Sequence, residues 1–380
     1  MTLAQTYPGL RVLDLATNFA GPYAAMILGD MGADVIKVER TPAGDDTRAL
    51  PPFSGDLSTV FQAVNRGKRS IMLNFKSDAD LNSLRELIAT SDVVIESFPP
   101  GVAEKLGLTW DHLHTIKSNL ILASVSAFGD GPEGKTMPGY DALVQAVSGM
   151  MSFTGNEGEP TARIAPSVLD LTTGIWTATG IMAALARRSK GAGSGEHLKF
   201  ALIDTAFNLM NHQIMGYFAT GKEPRKLGGG APSAAPYGVY QAKDGELLIA
   251  TASEDQFQRL CGALALDDVA NDPRFETMID RIANREPLDQ LLAAAVSKRS
   301  LSELGDLLRE ARISFGKVNS VAEACQLPVV LERGLFSDDQ VSSPQLRLPV
   351  EQIPGRSHRS PPLLDEHRSE ILGELNAFRS

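Results

Sequence analysis

A chain of 380 residues, 43% hydrophobic and 22% charged, is long enough for about two domains with a sizeable core. Its net charge of −10 weighs against a general nucleic-acid binder. The two cysteines, Cys261 and Cys325, stand in no metal-like spacing, so reduced thiols, no metal and a cytoplasmic setting are expected. The opening Met-Thr-Leu-Ala-Gln-Thr-Tyr-Pro has neither a basic nor an apolar signal region, and no uncharged apolar run approaches membrane-spanning length; neither export nor membrane insertion is expected. One stretch departs from the acidic balance. Between Lys37 and Lys76 seven basic residues (Lys37, Arg40, Arg48, Arg66, Lys68, Arg69, Lys76) outnumber four acidic ones (Glu39, Asp45, Asp46, Asp56). Such a patch suits a small polyanion such as a coenzyme phosphate, or is simply a solvated basic face.

Leu10–Leu15 reads as a short buried strand and Gly21–Gly32 as a helix, with Pro22 in its first turn and glycine near its end. Asp34–Glu39 is the next strand. Strand, helix, strand is a βαβ unit, which implies a parallel sheet. The alternation continues through a strand at Ser70–Phe75, a helix near Ala79–Ala89, and strands at Asp92–Glu96 and Leu120–Ser126. The reading is an α/β fold with an open, Rossmann-like parallel sheet. Its first turn, Ala16–Pro22, carries no G-x-G-x-x-G, and no P-loop follows any strand, so a dinucleotide bound in the usual way is not expected. Ligands of open sheets still collect at the C-terminal strand ends, here Asn18–Gly21, the segment from Arg40, and Ser97–Gly101.

Residues 139–153 read as an apolar helix, Ser189–Gly195 as a hinge, Glu196–Phe200 as a strand and Leu202–Ala219 as a helix. The Gly/Pro/Ala stretch Gly228–Pro236 leads into a hairpin, Tyr237–Thr251, turning at Lys-Asp-Gly. Helices follow to about Arg312, and a last helix is expected near Asp365–Phe378. The domains expected are 1–220, completed by 316–380, as the large Rossmann-like unit, and 221–315 as a small α+β unit.

The most telling stretch is Ala165-Pro-Ser-Val-Leu-Asp170-Leu-Thr-Thr-Gly174, which opens a long helical pattern with no charge beyond Asp170 until Arg187. Asp170 reads either as a helix N-cap or as a carboxylate kept ionised by the helix dipole and available as a nucleophile.

Several motifs in order resemble the class III CoA-transferase family, the group of formyl-CoA and carnitine-CoA transferases and α-methylacyl-CoA racemases. They are Leu13-Asp-Leu with Ala20-Gly-Pro, Gly32-Ala-Asp-Val-Ile-Lys-Val-Glu-Arg40, Asn65-Arg-Gly-Lys-Arg-Ser-Ile-Met-Leu-Asn74, Glu96-Ser-Phe-Pro-Pro-Gly101 with Leu106-Gly-Leu, Ser126-Ala-Phe-Gly-Asp-Gly-Pro132, Pro138-Gly-Tyr-Asp141, Asp170-Leu-Thr-Thr-Gly174 and Asn319-Ser-Val-Ala-Glu323. The resemblance spans nearly the whole chain. It implies a homodimer of interlinked, ring-like subunits, coenzyme A or acyl-CoA as a substrate rather than a tightly bound cofactor, and a small carboxylic acid as the other substrate. It implies that Asp170 carries the acyl group as an anhydride and then CoA as an aspartyl thioester, a way of splitting one difficult exchange into easier steps. It implies CoA contacts at Asn18, Phe19, Ala20, Arg40, Leu73, Lys76, Ser97, Phe98, Lys105 and Leu106. Of these, Arg40, Lys76 and Lys105 suit phosphates, and Leu73 and Phe98 suit the adenine. In the racemase branch a histidine pairs with the aspartate; Tyr140 stands there, and a phenol with an ordinary pKa of ~10 is a poor base at neutral pH. Transfer is therefore the leading reading, with racemisation and a non-catalytic CoA-binding role as alternatives. Tyr140 and Asp141 are candidate substrate-positioning residues, and Asp141 could equally cap the helix that follows it.

Overall fold

The computed structural model describes residues 5–191, 194–336, 346–350 and 360–379. Parts of the expected hinge (192–193) and of the C-terminal tail lie outside the described residues. The chain forms two compact units, one of residues 1–148, 164–215 and 331–380, the other of 149–163 and 216–330.

The first unit is built on a six-stranded parallel sheet. Its strands are β1 (Arg11–Asp14), β2 (Asp34–Arg40), β5 (Arg69–Leu73), β6 (Val93–Glu96), β7 (Ile121–Ser126) and β8 (Glu196–Ala201), in the spatial order β5-β2-β1-β6-β7-β8. The short β3 (Phe53–Ser54) and β4 (Leu57–Ser58) pair beside it. The strands are apolar runs because both faces are covered. Val12, Val93, Ile95, Ile121 and Ala123 point into one core with Ala24, Leu28, Ala178 and Ile181. Their neighbours Leu13, Val94 and Leu122 point into the other, with Leu84, Leu87, Ile88 and Ile371. The expected sheet is there, and the helices differ in extent. The stretch expected as a helix over 139–153 is a helix only over Asp141–Val147, because Gly149 turns the chain at φ +88° into a 3-10 turn, Met150–Ser152. The expected Leu202–Ala219 helix is two, Leu202–Leu209 and Asn211–Thr220.

The helix Val168–Ser189 is long and apolar enough, by length and composition, to cross a membrane, contrary to the expectation that no segment is. Leu169, Ala178, Ile181, Ala184 and Leu185 bury its inner face in this unit instead.

Most of the basic stretch between Lys37 and Lys76 is turned inward and paired. Four of its seven cations are buried and a fifth, Arg48, is half-buried, all against carboxylates, most of which lie outside the stretch. Lys68 Nζ is 2.8 Å from Asp14 and also donates to Pro22 O and Asn65 Oδ1. Lys37 Nζ lies 2.9 Å from Asp45 and 3.7 Å from Asp14, and donates to Ala16 O. Arg48 holds Glu39 at 2.7 Å and lies over the ring of Phe61. Arg66 pairs with Asp30, and Arg69 with Asp34, Glu370 and Glu374. Burial pushes Lys68 down to about 8, with Asp14 opposing and Lys37 reinforcing the shift. Burial works against Lys37 too, but Asp14, Asp45 and Glu39 hold its ammonium above the ordinary lysine value.

The second unit has its own core. Strands β9 (Tyr237–Ala242) and β10 (Gly245–Ala250) form the expected hairpin, and β11 (Ser314–Lys317) adds an antiparallel third strand that periodicity did not reveal. Its pairing carries the unit past residue 315, and residues 149–163 join it from the other side. The fully buried Arg281 donates to the carbonyls of Ala235, Phe275 and Glu276 and lies over Phe257. Arg285 donates to Ala231 O and Ala234 O. Together they pin the segment behind Gly228–Gly230.

Candidate active site

Taken in sequence, the sheet strands run third, second, first, fourth, fifth, sixth, so the order reverses between β1 and β6. The crevice beyond the C-terminal ends of the strands at such a switch point is where open α/β sheets bind ligands. The loops that follow β1 and β6 flank it, and Thr17 N donates across it to Ser97 Oγ at 3.0 Å. The first loop is held from below. Ala16 N donates to Asp14, Ala16 O accepts from Lys37, and Asn18 N reaches Asp45 Oδ1 at 3.4 Å. Asn18 sits in the left-handed region, φ +64°, a conformation asparagine tolerates better than most residues. Phe19, half-buried, is the N-cap of the helix Ala20–Asp30.

That helix packs closely on the one that carries Asp170. A Cβ on Gly174 would stand 2.7 Å from Ala20 O and 3.1 Å from the Tyr23 ring, so only glycine permits this approach of the two helices. Gly174 is one turn beyond Asp170.

The Val168–Ser189 helix begins two residues before Asp170, with Ser167 as a N-cap residue that makes no side-chain cap bond. Asp170 is therefore a first-turn residue and not the cap. Capping comes from Asp141, at the start of the Asp141–Val147 helix: its Oδ2 accepts from Leu169 N at 2.8 Å and Asp170 N at 3.2 Å. Asp141 thus caps a helix 28 residues further along rather than its own. Its other oxygen accepts from Gln145 Nε2 at 2.5 Å, while Gln145 Oε1 accepts from Ile164 N at 2.8 Å. Asp141 and Gln145 are both buried.

The Asp170 side chain is half-buried. Burial first, and the Asp141 carboxylate second, push its pKa up to about 7. The sequence reading had the helix dipole keeping this group ionised; desolvation and a like charge oppose that. Among the described residues no cation offsets them.

Of the other expected contact residues, Arg40 ends β2, exposed and paired with Asp46. Lys76 and Lys105 are exposed at the ends of the β5 and β6 connections. Phe98 donates its N–H to Glu96 and meets Phe75 edge-on at 6.4 Å, and Leu106 packs beside it on the core. Leu73 differs from expectation. Its side chain is fully buried among Leu13, Ile36 and Ile71, which leaves the rings of Phe98 and Phe75 as the apolar surface at this edge. Tyr140 is 68% exposed.

The family model for CoA-transferase family III matches residues 7–368. The chain belongs to CoA-transferase family III. It is 37% identical to succinate–glutarate CoA-transferase of Agrobacterium fabrum, over 97% of this chain and 96% of that one. It is 35% identical to acetyl-CoA:oxalate CoA-transferase of Acetobacter aceti, over 98% and 96%. Its fold matches the crystal structure of a CaiB/BaiF family protein from Brucella suis with a TM-score of 0.85 and 36% identity, covering 97% of this chain and 98% of that one. As a family III CoA-transferase it is an enzyme that takes CoA thioesters as substrates.

For a family III CoA-transferase, the residues that sequence reasoning missed are the supports. Gln145 was legible as the residue one turn after Asp141 on the same helix face. Asp14, Lys37, Asp45 and Lys68 were not, because their pairing depends on strands far apart in sequence.

Proposed function

We propose that this enzyme moves CoA from succinyl-CoA to a second dicarboxylic acid, with Asp170 as the nucleophile. An Asp170 oxygen attacks the thioester carbonyl; the C–S bond breaks and CoA leaves as thiolate, giving a mixed anhydride. The thiolate attacks the Asp170 carbonyl carbon, the anhydride C–O bond breaks, and the donor acid leaves as carboxylate, with CoA held as an aspartyl thioester. The acceptor carboxylate attacks that thioester and displaces CoA thiolate. The thiolate then attacks the acceptor's acyl carbon, restoring the Asp170 carboxylate. No net proton is consumed and no redox partner is needed.

The observation that carries this reading is Asp170 itself, a half-buried carboxylate one turn from the close approach of the Ala20 loop. Being desolvated, it is a stronger nucleophile once ionised than one in water. The loops at the switch point supply the CoA side of the reading: Asn18, Phe19 and Ala20, the cations Arg40, Lys76 and Lys105, and Ser97, Phe98 and Leu106. The dicarboxylic substrates rest on the names of the Agrobacterium and Acetobacter relatives.

The test is covalent trapping. Protein incubated with succinyl-CoA and quenched with hydroxylamine or borohydride should yield a hydroxamate or an alcohol at Asp170, mapped by peptide mass spectrometry. Turnover of succinyl-CoA and glutarate with the modification on any other residue would refute Asp170.

The homodimer belongs to the same proposal. Leu143, Val147, Ile175, Trp176, Phe207 and Leu209, on three helices of the first unit, are large apolar residues 42–58% exposed, more than a monomer's surface usually carries in one region. A second copy of the chain is the occupant we propose for them. Light scattering should give twice the chain mass for the native protein, and Trp176→Glu should move it toward the monomer; a native protein that is monomeric at micromolar concentration would remove the dimer.

A further inference from the structure

We propose that Asp141, held by Gln145, is a positioning residue for the transfer reaction: its carboxylate seats the first turn of the nucleophile's helix and sets beside Asp170 a negative charge whose repulsion is released when Asp170 is acylated. The inference rests on the reading of Asp170 as nucleophile.

The geometry carries it. Four backbone N–H groups at the start of a helix lack partners within the helix. Here the three on the helix itself are taken: Val168 N by Pro166 O, and Leu169 N and Asp170 N by Asp141, while Leu171 N makes the first intrahelical bond, to Ser167 O. A serine or asparagine cap would have satisfied the second and third of these without charge. Ser167 stands at the cap position and makes no such bond. A carboxylate from another helix does it instead, so a full negative charge is built in beside the reacting carboxyl. Gln145 fixes that carboxylate, donating to it while its own carbonyl takes Ile164 N, so the chain entering the helix and the charge beneath it are tied together.

Other charges do not blur the pair. On the elements packed against this helix the titratable groups are Tyr23 and Asp30 on Ala20–Asp30, Glu196, His197 and Lys199 on β8, Asp204 on Leu202–Leu209, and Tyr140 beside Asp141. Asp30 is paired with Arg66, Glu196 with Arg187, Lys199 with Asp130, and His197 is hydrogen-bonded to Ser124. The upward push on the Asp170 carboxyl comes from its burial first and from Asp141 second.

The consequence for the chemistry follows from charge. Two neighbouring carboxylates repel while both are ionised. Attack on a thioester turns Asp170 into a neutral anhydride and then a neutral thioester, and the charge it loses leaves on thiolate or carboxylate. Asp141 therefore raises the free enzyme more than the covalent intermediates, which favours acylation.

The test reads the ionisation of Asp170 without needing turnover. A carboxyl whose pKa is higher in the folded than in the unfolded state holds its proton between the two values. Its contribution to stability is full at acid pH and is lost as pH rises through about 7. Asp170→Asn cannot ionise, so its melting temperature should exceed that of the native protein above that pH, with the gap closing near pH 4. In an Asp141→Asn background, which keeps an oxygen acceptor and removes the charge, the folded value should fall by about one pH unit and the midpoint of that gap, which lies between the folded and unfolded values, by about half a pH unit. The same midpoint in both backgrounds overturns the proposal. If Asp141→Asn does not fold, Asp141→Ser carries the same comparison. The second readout is the acid limb of kcat/KM for succinyl-CoA, which should move down with the midpoint in Asp141→Asn, whereas a purely structural role would lower activity at every pH alike. A shifted stability midpoint in a protein whose Asp170 is never acylated would leave the charge pair standing and remove the nucleophile reading instead.

Discussion

Asp170→Ala should lose CoA transfer by about four orders of magnitude or more while binding CoA nearly as tightly as the native enzyme. The magnitude follows from the role. If Asp170 is the atom that receives first the acyl group and then CoA, its removal deletes the covalent route and leaves only binding and orientation. Binding should survive because the residues set around the switch point, from Asn18 and Arg40 to Phe98 and Lys105, are held by their own strands and loops. Thr17 N on Ser97 and Ala16 between Asp14 and Lys37 owe nothing to Asp170. Isothermal titration with CoA beside a transfer assay separates the two outcomes. Retained transfer in Asp170→Ala would mean that another group carries the acyl, and lost CoA binding would mean that the carboxylate organises the pocket.

The largest effect on stability should come from Asp14→Ala, at about 3–5 kcal/mol, the range for removing one member of a buried charge cluster. Asp14 is fully buried, and its carboxylate stands 2.8 Å from Lys68 and 3.7 Å from Lys37, both of them fully buried too. Without it Lys68 keeps only the neutral oxygens of Pro22 and Asn65, and Lys37 keeps Asp45. The energy lost is less the attraction removed than the cost of a buried ammonium left without a counter-charge. Urea unfolding should show the loss in the transition midpoint. The double variant Asp14→Leu with Lys68→Met, which removes both charges, should recover most of it. An Asp14→Ala protein as stable as the native chain would show that water or local rearrangement replaces the carboxylate.

The parallel sheet was legible because its strands are buried on both faces, and continuous apolar runs separated by amphipathic helices leave little choice of architecture. The cap of the Val168–Ser189 helix was not legible in the same way. Local pattern left Asp170 open as a cap because the group that does cap this helix, Asp141, lies 28 residues before Leu169 in the chain, and a cap supplied from another helix leaves no local signature. Leu73 was misassigned for a related reason: a leucine at a strand end reads alike whether it faces ligand or core, and only the packing of β5 beside β2 sends it inward. Gly174 could be read as a helix residue but not as the point where a second helix closes on it, since that depends on Ala20 O arriving there.

The internal pairing of Lys37, Arg48, Arg66, Lys68 and Arg69 also bears on how the coenzyme arrives. With those five paired to carboxylates within the protein, the cations proposed to meet a phosphate are the exposed Arg40, itself beside Asp46, Lys76 and Lys105. They belong to a molecule whose net charge is −10. A polyanion therefore approaches without a broad attractive field and meets favourable charge only in the last few ångströms, within about one Debye length at physiological ionic strength. Capture then gains nothing from long-range electrostatic steering, and since the net charge opposes a polyanion at a distance, salt that screens it should quicken rather than slow the uptake of CoA thioesters.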